Sequence, residues 1–317
     1  MNGYVLPFPS QPLPSDADQV VISVNPTAGA RSARDRVDRL VDLLCKEGIN
    51  PNVGSDLSAA CATAMRWHSE GRLRALVGVG GDGTAAELAN RTPPGLPIAM
   101  LPAGNENLLA RYIGWSKNPE ELCRILLAGR LARLDAGRAN GRLFLLMVGC
   151  GFDAEVVRSV HARRTGHIRT RDYFKPILQS IRTYMYPPME YSWDDADPSA
   201  GVELRHGGVG RWLFAFNLPC YGGRLAIAPQ ADPCDGSLDV CAFARGGLWH
   251  GLRYAGGVLT GTHPRMRDVV VQRVRRLTVS ADTEVPFQLD GDPGGILPLE
   301  IEAAPQRLTL VVPRGTS

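Results

Sequence analysis

Apolar and polar positions in the first 130 residues switch repeatedly between strand-like runs and helical spacing. Val20 to Val24 is apolar except at Ser23 and ends in Asn25-Pro26, after which Val37, Leu40, Val41 and Leu44 recur on one helical face. Leu73 to Val79 has no polar residue after Arg74, and Leu96 to Leu101 has none at all. Runs of this length and composition fit parallel strands covered on both faces. Each run stops at a small polar turn: Asn25-Pro26 with Gly29, Gly80-Gly81-Asp82-Gly83-Thr84, and Pro102 to Asn107. Helical composition resumes after the last two, at Ala85 to Asn90 and Leu108 to Arg111. Asn118-Pro119-Glu120-Glu121 opens a further helix with a cap, a proline at its first position and acids near its N-terminus, and that helix ends near Gly129.

From Leu131 onward strand signals dominate. Leu131 to Asp135 and Leu143 to Val148 flank Asn140-Gly141, a strong hairpin signal. Strand-like runs follow at Trp212 to Leu218, Leu238 to Ala244, Arg267 to Val271, Leu277 to Ser280 and Leu308 to Val312. Two or three helices interrupt them, the clearest from Asp172 to Tyr186. The pattern predicts an α/β domain with a Rossmann-like parallel sheet over residues 19–134 and a mainly antiparallel β-sandwich over 135–300. The lead from Met1 to Asp18, with Pro7, Pro9, Pro12 and Pro14, reads as a disordered tail; it lacks the basic start and apolar core of a signal peptide.

Composition changes this picture little. A chain of 317 residues is long enough for two domains, and 44% hydrophobic with 21% charged residues is ordinary for a globular protein. No apolar run approaches the roughly 18 residues needed to span a bilayer, so any lipid contact is expected to be peripheral and the protein cytoplasmic. The 7 cysteines form no C-x-x-C pair and mostly sit in apolar runs, which favours reduced, buried thiols. The 6 histidines show no metal-ligand spacing.

The turn at Gly80 to Thr84 carries the clearest chemistry. Glycines let backbone N–H groups approach an anion, and a following helix N-terminus adds partial positive charge. Asp82 is the odd residue, because a bare carboxylate repels phosphate unless it holds a metal ion or takes a proton; its presence points to phosphoryl chemistry. Gly78, Gly80 and Gly83 also satisfy G-x-G-x-x-G, so a dinucleotide turn remains open, as does a purely structural Asp-Gly turn. A Walker P-loop is excluded by the missing Gly-Lys-Ser/Thr. Open α/β sheets bind ligands at the C-terminal ends of their strands, so Asn25, Asp82, Thr84 and Asn107 could converge on one nucleotide.

These residues, in this order, resemble the signatures of the diacylglycerol kinase catalytic family, the bacterial lipid kinases related to sphingosine and ceramide kinases. Asn25-Pro26 with Gly29, Gly80 to Thr84 with Glu87 and Asn90, and Pro102 to Arg111 look like its three N-terminal motifs. Gly149 to Asp153, Tyr221-Gly222-Gly223 through Ala228-Pro229, and Asp235 to Asp239 resemble its second-half motifs, and Leu289-Asp290-Gly291-Asp292 sits where Asp-Gly-Glu is usual. The chain departs from the pattern at Asn105 and Glu106, where Thr and a small residue are usual, at Ala30, and at Asp292, one methylene shorter than Glu.

The resemblance implies an NAD-kinase-like first domain, with the segment from about 301 to 317 returning to it. It implies an ATP-dependent kinase acting on a lipid hydroxyl with Mg²⁺, Asp82 and Asp292 being catalytic. Asn25, Gly80, Gly81, Gly83, Thr84, Gly104, Asn105 and Asn107 would bind the nucleotide, and Asp232, Asp235 and Ser237 would hold a structural cation. For Asp235-Gly236 and for Asp290 to Asp292 a plain turn is the alternative. An NAD kinase-like enzyme and a catalytically inactive lipid- or nucleotide-binding module are the alternatives for the whole chain. Arginines 163, 164, 169 and 171, followed by the helix bearing Tyr173 and Phe174, read either as a peripheral membrane surface or as a solvated loop before a core helix. Nothing resembles a base-reading element, so nucleic acid is not an expected partner; a homodimer is left open.

Overall fold

The computed structural model describes residues 10–25, 31–162, 183–194, 205–222 and 225–314, and the chain divides into two compact units, Met1–Leu134 with Gln306–Ser317, and Asp135–Pro305. The first unit holds β1 (Ser10–Pro12), β2 (Gln19–Val24), α1 (Arg31–Lys46), β3 (Asn50–Gly54), α2 (Leu57–Ser69), β4 (Leu73–Gly80), α3 (Asp82–Arg91), β5 (Pro97–Pro102), α4 (Leu108–Ile113), α5 (Pro119–Ala128) and the start of β6 (Arg130–Ala139).

Strands β3, β2, β4 and β5 lie side by side, all parallel, and Thr309 and Leu310 extend the sheet beside β5. Every residue of β4 and β5 is buried, which is why these strands read as unbroken apolar runs. The register pairs Val24 with Val79 and Gly80 with Pro102, so β2, β4 and β5 end at the same edge of the sheet. Helix α1 buries Val37, Leu40 and Leu44, the positions its spacing selects. Asn118 caps α5, its Oδ1 accepting the amides of Glu120 at 2.8 Å and Glu121 at 3.3 Å.

Arg74, the one charged residue of β4, is buried. Its guanidinium donates to the carbonyls of Leu126 (2.5 Å) and Leu127 (2.8 Å) at the end of α5, and to that of Ala17 (2.8 Å). The proline-rich lead differs from expectation from Ser10 onward: β1 pairs antiparallel with Arg130 to Ala132, and Arg130 Nε donates to Ser10 Oγ at 2.7 Å. Pro12 is accommodated because it ends a short strand, where a missing amide costs little.

The second unit continues with β7 (Arg142–Phe144), β8 (Met147–Gly151), α6 (Phe152–Ala162), β9 (Met189–Asp194), β10 (Arg205–Gly210), β11 (Trp212–Phe216), β12 (Leu238–Phe243), α7 (Leu248–Leu259), β13 (Val269–Val274), β14 (Arg276–Ser280), β15 (Pro286–Leu289), β16 (Asp292–Ile296) and β17 (Leu299–Val312). It is an antiparallel β-sandwich. One sheet runs β13, β12, β11, β8, β15, β16. The other contains β10, β9, β14 and the first residues of β17. Val148, Leu213, Val240 and Phe287 from the first sheet share a core with Met189, Tyr191, Leu277 and Ile301 from the second.

Asn140 and Gly141 both have positive φ, +45° and +85°, and close the β6–β7 hairpin as the sequence predicts. The expected single strand from Leu143 to Val148 is instead broken at Leu145 and Leu146, whose amides turn away to the Asp290 carboxylate. The arginines of 163–171 and most of the helix expected from Asp172 to Tyr186 lie outside the described residues. Its expected end is not helical: Tyr186 has φ +49° and precedes Pro187. All seven thiols are free; four are buried, while Cys45 and Cys234 are exposed against expectation. Among the described residues no helix is long and apolar enough to cross a membrane.

Candidate functional site

Asn25 at the end of β2 and the turns after β4 and β5 hold most of the residues expected to bind a nucleotide. Gly81 stands at the N-cap of α3, and Thr84 and Ala85 donate their amides back to its carbonyl at 3.0 and 3.2 Å. The turn after β5 closes against it: Ala103 N donates to Gly80 O at 2.8 Å, and a Cβ placed on Gly104 would lie 2.7 Å from Gly81 Cα. That approach excludes a Cβ at Gly104, and at Gly81 a Cβ would press on Gly104 Cα at 3.3 Å, a tight contact. Asn107, buried and left-handed at φ +48°, accepts Gly104 N with its Oδ1 (3.0 Å) and donates from Nδ2 to Gly104 O (2.7 Å). Asn25 Nδ2 donates to the Thr84 hydroxyl at 3.3 Å. Asn25, Gly80, Gly81, Gly83, Thr84, Gly104 and Asn107 thus belong to one assembly, while Asn105 is exposed at its rim.

Asp82 sits in the middle of this assembly with both oxygens engaged. Oδ2 accepts the amide of Leu108 and Oδ1 that of Leu109. Burial pushes its carboxyl up from the ordinary range, the two amides oppose this, and Glu106 adds repulsion of like charge. Each oxygen keeps a lone pair, so the carboxylate retains acceptor capacity toward a cation or a proton.

In the second unit, the β15–β16 hairpin turns at Asp290 and Gly291, with φ of +53° and +88°. The Asp290 carboxylate accepts three amides, from Leu145 (2.7 Å), Leu146 (2.8 Å) and Met147 (3.0 Å). Gln288 fixes the same turn from inside: Oε1 accepts Gly291 N at 2.8 Å, while Nε2 donates to Asp153 Oδ2 at 2.8 Å. Tyr221 donates its hydroxyl to the other oxygen of Asp153. Asp292 follows the turn, half-exposed, with Oδ1 3.5 Å from Nε2 of His161 in the last turn of α6. Sequence reasoning passed over His161, because no spacing signal links it to a residue so distant in the chain.

The residues expected to hold a structural cation, Asp232, Asp235 and Ser237, lie together in one turn. Asp232 Oδ1 accepts Cys234 N at 3.0 Å and Asp235 Oδ1 accepts Ser237 N at 2.9 Å, both turn-forming bonds. Asp235 Oδ2 faces the Arg273 guanidinium at 3.0 Å. Asp135 binds the turn from outside, accepting Gly236 N at 2.7 Å. Beside the Arg273 guanidinium, Asp235 Oδ2 is buried and has no hydrogen-bond partner among the described residues. Among the described residues no group of three or more His, Cys, Asp or Glu is arranged to hold a metal.

Two family descriptions account for nearly all of the chain. The diacylglycerol kinase catalytic domain matches residues 19–139, and the YegS C-terminal NAD kinase beta sandwich-like domain matches residues 146–312. The chain belongs to the diacylglycerol kinase catalytic family. Relatives within it include the diacylglycerol kinase of Bacillus subtilis, 24% identical over 301 residues that cover 92% of this chain and 96% of the relative. That of Mycobacterium tuberculosis is 29% identical over 247 residues, covering 76% and 77%. A diacylglycerol kinase crystal structure from Bacillus anthracis superposes with a TM-score of 0.68 at 20% identity, covering 93% of this chain and 97% of that one, which shows the shared fold. Yeast NADH kinase shares the fold more distantly, with a TM-score of 0.51 at 9% identity over 93% of this chain and 82% of that one. The glycine-aspartate turn lies in the stretch that matches the diacylglycerol kinase catalytic domain, and Asp292 in the stretch that matches the C-terminal sandwich domain.

Proposed function

We propose that this protein is an ATP-dependent lipid kinase that transfers the γ-phosphoryl group to a lipid hydroxyl, of diacylglycerol or sphingoid type. The observation that carries the reading is that the end of β2, at Asn25, and the turns after β4 and β5 lie on one sheet edge, with the Gly81 and Gly104 backbones in close approach. Such an edge offers backbone amides and the N-terminus of α3 to phosphate oxygens. Asn25 and Thr84, bonded to each other, would line this cradle, and Asn107 would keep the Gly104 turn in shape. Phosphoryl transfer asks chiefly for positioning and charge neutralisation. Mg²⁺ arriving with the nucleotide would supply part of that neutralisation.

Asp82 would hold charge or a proton at the phosphate end, with its orientation fixed by the α4 amides. Asp292 is assigned as the base of the acceptor. In the step, the lipid oxygen forms a bond to the γ-phosphorus, the bond from that phosphorus to the β–γ bridging oxygen breaks, and the hydroxyl proton passes to Asp292. A single screen tests the reading: labelled ATP and Mg²⁺ with diacylglycerol, phosphatidylglycerol, sphingosine and undecaprenol in detergent micelles, and with NAD as a control acceptor. Label in a lipid phosphate is the expected result. Label in NADP alone, or in no acceptor, overturns it.

A further inference from the structure

Helix α7 wears its apolar residues on the outside. Leu248, Leu252, Ala255 and Leu259 recur at i, i+4, i+7 and i+11 and form one stripe. Trp249 is 81% exposed, Leu259 73%, Leu252 56% and Leu248 44%. The opposite face, which packs on the unit, is poorer: Tyr254, Gly257 and Val258 are its buried residues. A helix with its larger apolar side chains turned to solvent is inverted relative to an ordinary surface helix. Among the described residues of its own unit, nothing covers the stripe.

The segment that carries the stripe is cationic. Between Ala244 and Asp268 the chain carries four arginines and one acid. That acid, Asp268, is spent on Arg253 and lies 3.8 Å from Arg245, which leaves Arg265 and Arg267, both exposed, to give the patch its charge. The formal net charge of the whole chain is only +3, so this short segment accounts for all of it. Large exposed apolar residues, a tryptophan and a basic border are what an interfacial helix presents to anionic lipid. A second copy of the chain is the competing occupant, but a two-fold contact would set this cationic segment against itself, whereas anionic lipid meets it with opposite charge.

We propose that α7 is the element by which this protein lies on an anionic bilayer, its apolar stripe inserted at the headgroup level and Arg265 and Arg267 facing lipid phosphates. This places membrane docking on residues 248–267, apart from the basic segment singled out in the sequence. It deepens the lipid-kinase reading, on which it rests for the source of the acceptor, since a kinase with a bilayer-resident substrate must reach it there.

The test uses the full chain and vesicles of phosphatidylcholine with and without about one-third phosphatidylglycerol. The parent binds the anionic vesicles, and the triple variant Leu248→Ser, Leu252→Ser, Leu259→Ser lowers the partition by about tenfold or more. Trp249→Ala alone gives a smaller loss and guards against misfolding of the triple variant. Arg265→Gln with Arg267→Gln removes the preference for phosphatidylglycerol and the sensitivity to salt. Activity toward lipid in detergent micelles stays at the parent level in all three variants, so absent micelle activity in the parent would count against the kinase reading and leave the docking measurement standing. A parent that does not bind anionic vesicles, or variants that all bind like the parent, overturn the docking proposal. So does a parent dimer that the triple variant turns into a monomer with vesicle binding unchanged.

Discussion

Oδ2 of Asp82 accepts the backbone amide of Leu108 at 2.9 Å. With Oδ1 on Leu109, the carboxylate of one turn caps the helix that follows another. Asn107 occupies the N-cap position of α4 in a left-handed conformation and gives no side-chain cap, so Asp82 satisfies those amides in its place. A carboxylate so held keeps a fixed orientation toward any phosphate beside it, and its function separates from its structural role by experiment.

Asp82→Asn retains one acceptor oxygen for α4, so its stability is expected within about 1–2 kcal/mol of the parent in urea unfolding. Its phosphoryl transfer is expected to fall by about 10²-fold or more. Turnover equal to the parent would reduce Asp82 to a helix cap and favour a reading without catalytic use of this acid.

Arg74→Met is expected to cost about 2–4 kcal/mol, read as a lower urea midpoint. The substitution roughly preserves the aliphatic volume but leaves the carbonyls of Ala17, Leu126 and Leu127 buried without their donor. A midpoint within experimental error of the parent would mean that water replaces the guanidinium there.

Asp290 offers a graded pair of substitutions. Asn tolerates the +53° φ but can accept with one oxygen only, whereas Ala loses all three bonds and pays the left-handed conformation besides. Asp290→Ala should therefore destabilise by about 2–4 kcal/mol, and Asp290→Asn by roughly half as much. Equal losses would assign the effect to the charge, and not to the backbone conformation or the number of amides held.

Asp153 gives the stability a pH dependence of known sign. Burial raises its carboxyl above the ordinary value, and the bonds from Tyr221 and Gln288 only partly offset that. A raised acid contributes stability that is fully present below its unfolded value, about 3.9, and is lost as pH rises through its folded value. The stability of the parent minus that of Asp153→Asn is thus expected to fall as pH rises from about 4 and then to level off. A difference that grew with pH would show that the hydrogen bonds, not burial, dominate at this acid.

What was legible in the sequence was local or strongly patterned. Leu73 to Val79 and Leu96 to Leu101 announce themselves because β4 and β5 are buried on both faces, and Asn118 and Asn140-Gly141 because caps and tight turns demand particular residues. Strands β3, β9, β10, β15 and β16 passed unread; β9 and β15 are paired on both sides, whereas β3, β10 and β16 are edges. Each of these edges pairs on one side only among the described residues, and such edges admit the Pro51, Gly207, Gly208, Pro293 and Gly294 that argue against a strand elsewhere. The turns of the candidate site were legible for the same local reason, down to the glycines at 81 and 104. The amides that hold Asp82, the His161 beside Asp292, and the Arg273 that closes the Asp235 turn were not, since each pairing joins residues far apart in sequence and leaves no periodic trace.

Strand β17 has a temporal consequence. Its first residues, Leu299 to Glu302, pair with β14, and Thr309 and Leu310 complete the parallel sheet beside β5, where Val311 O also takes the indole N–H of Trp115 at 2.8 Å. Arg307 meanwhile ties this stretch to the carbonyls of Ala89 and Thr92 at the end of α3. During synthesis from the N-terminal end, the nucleotide-side sheet emerges from the ribosome more than 150 residues before its last strand does, and β5 waits with an open edge throughout. Nascent chains stalled short of Thr309 should thus be the ones that engage chaperones, whatever the state of the sandwich behind them.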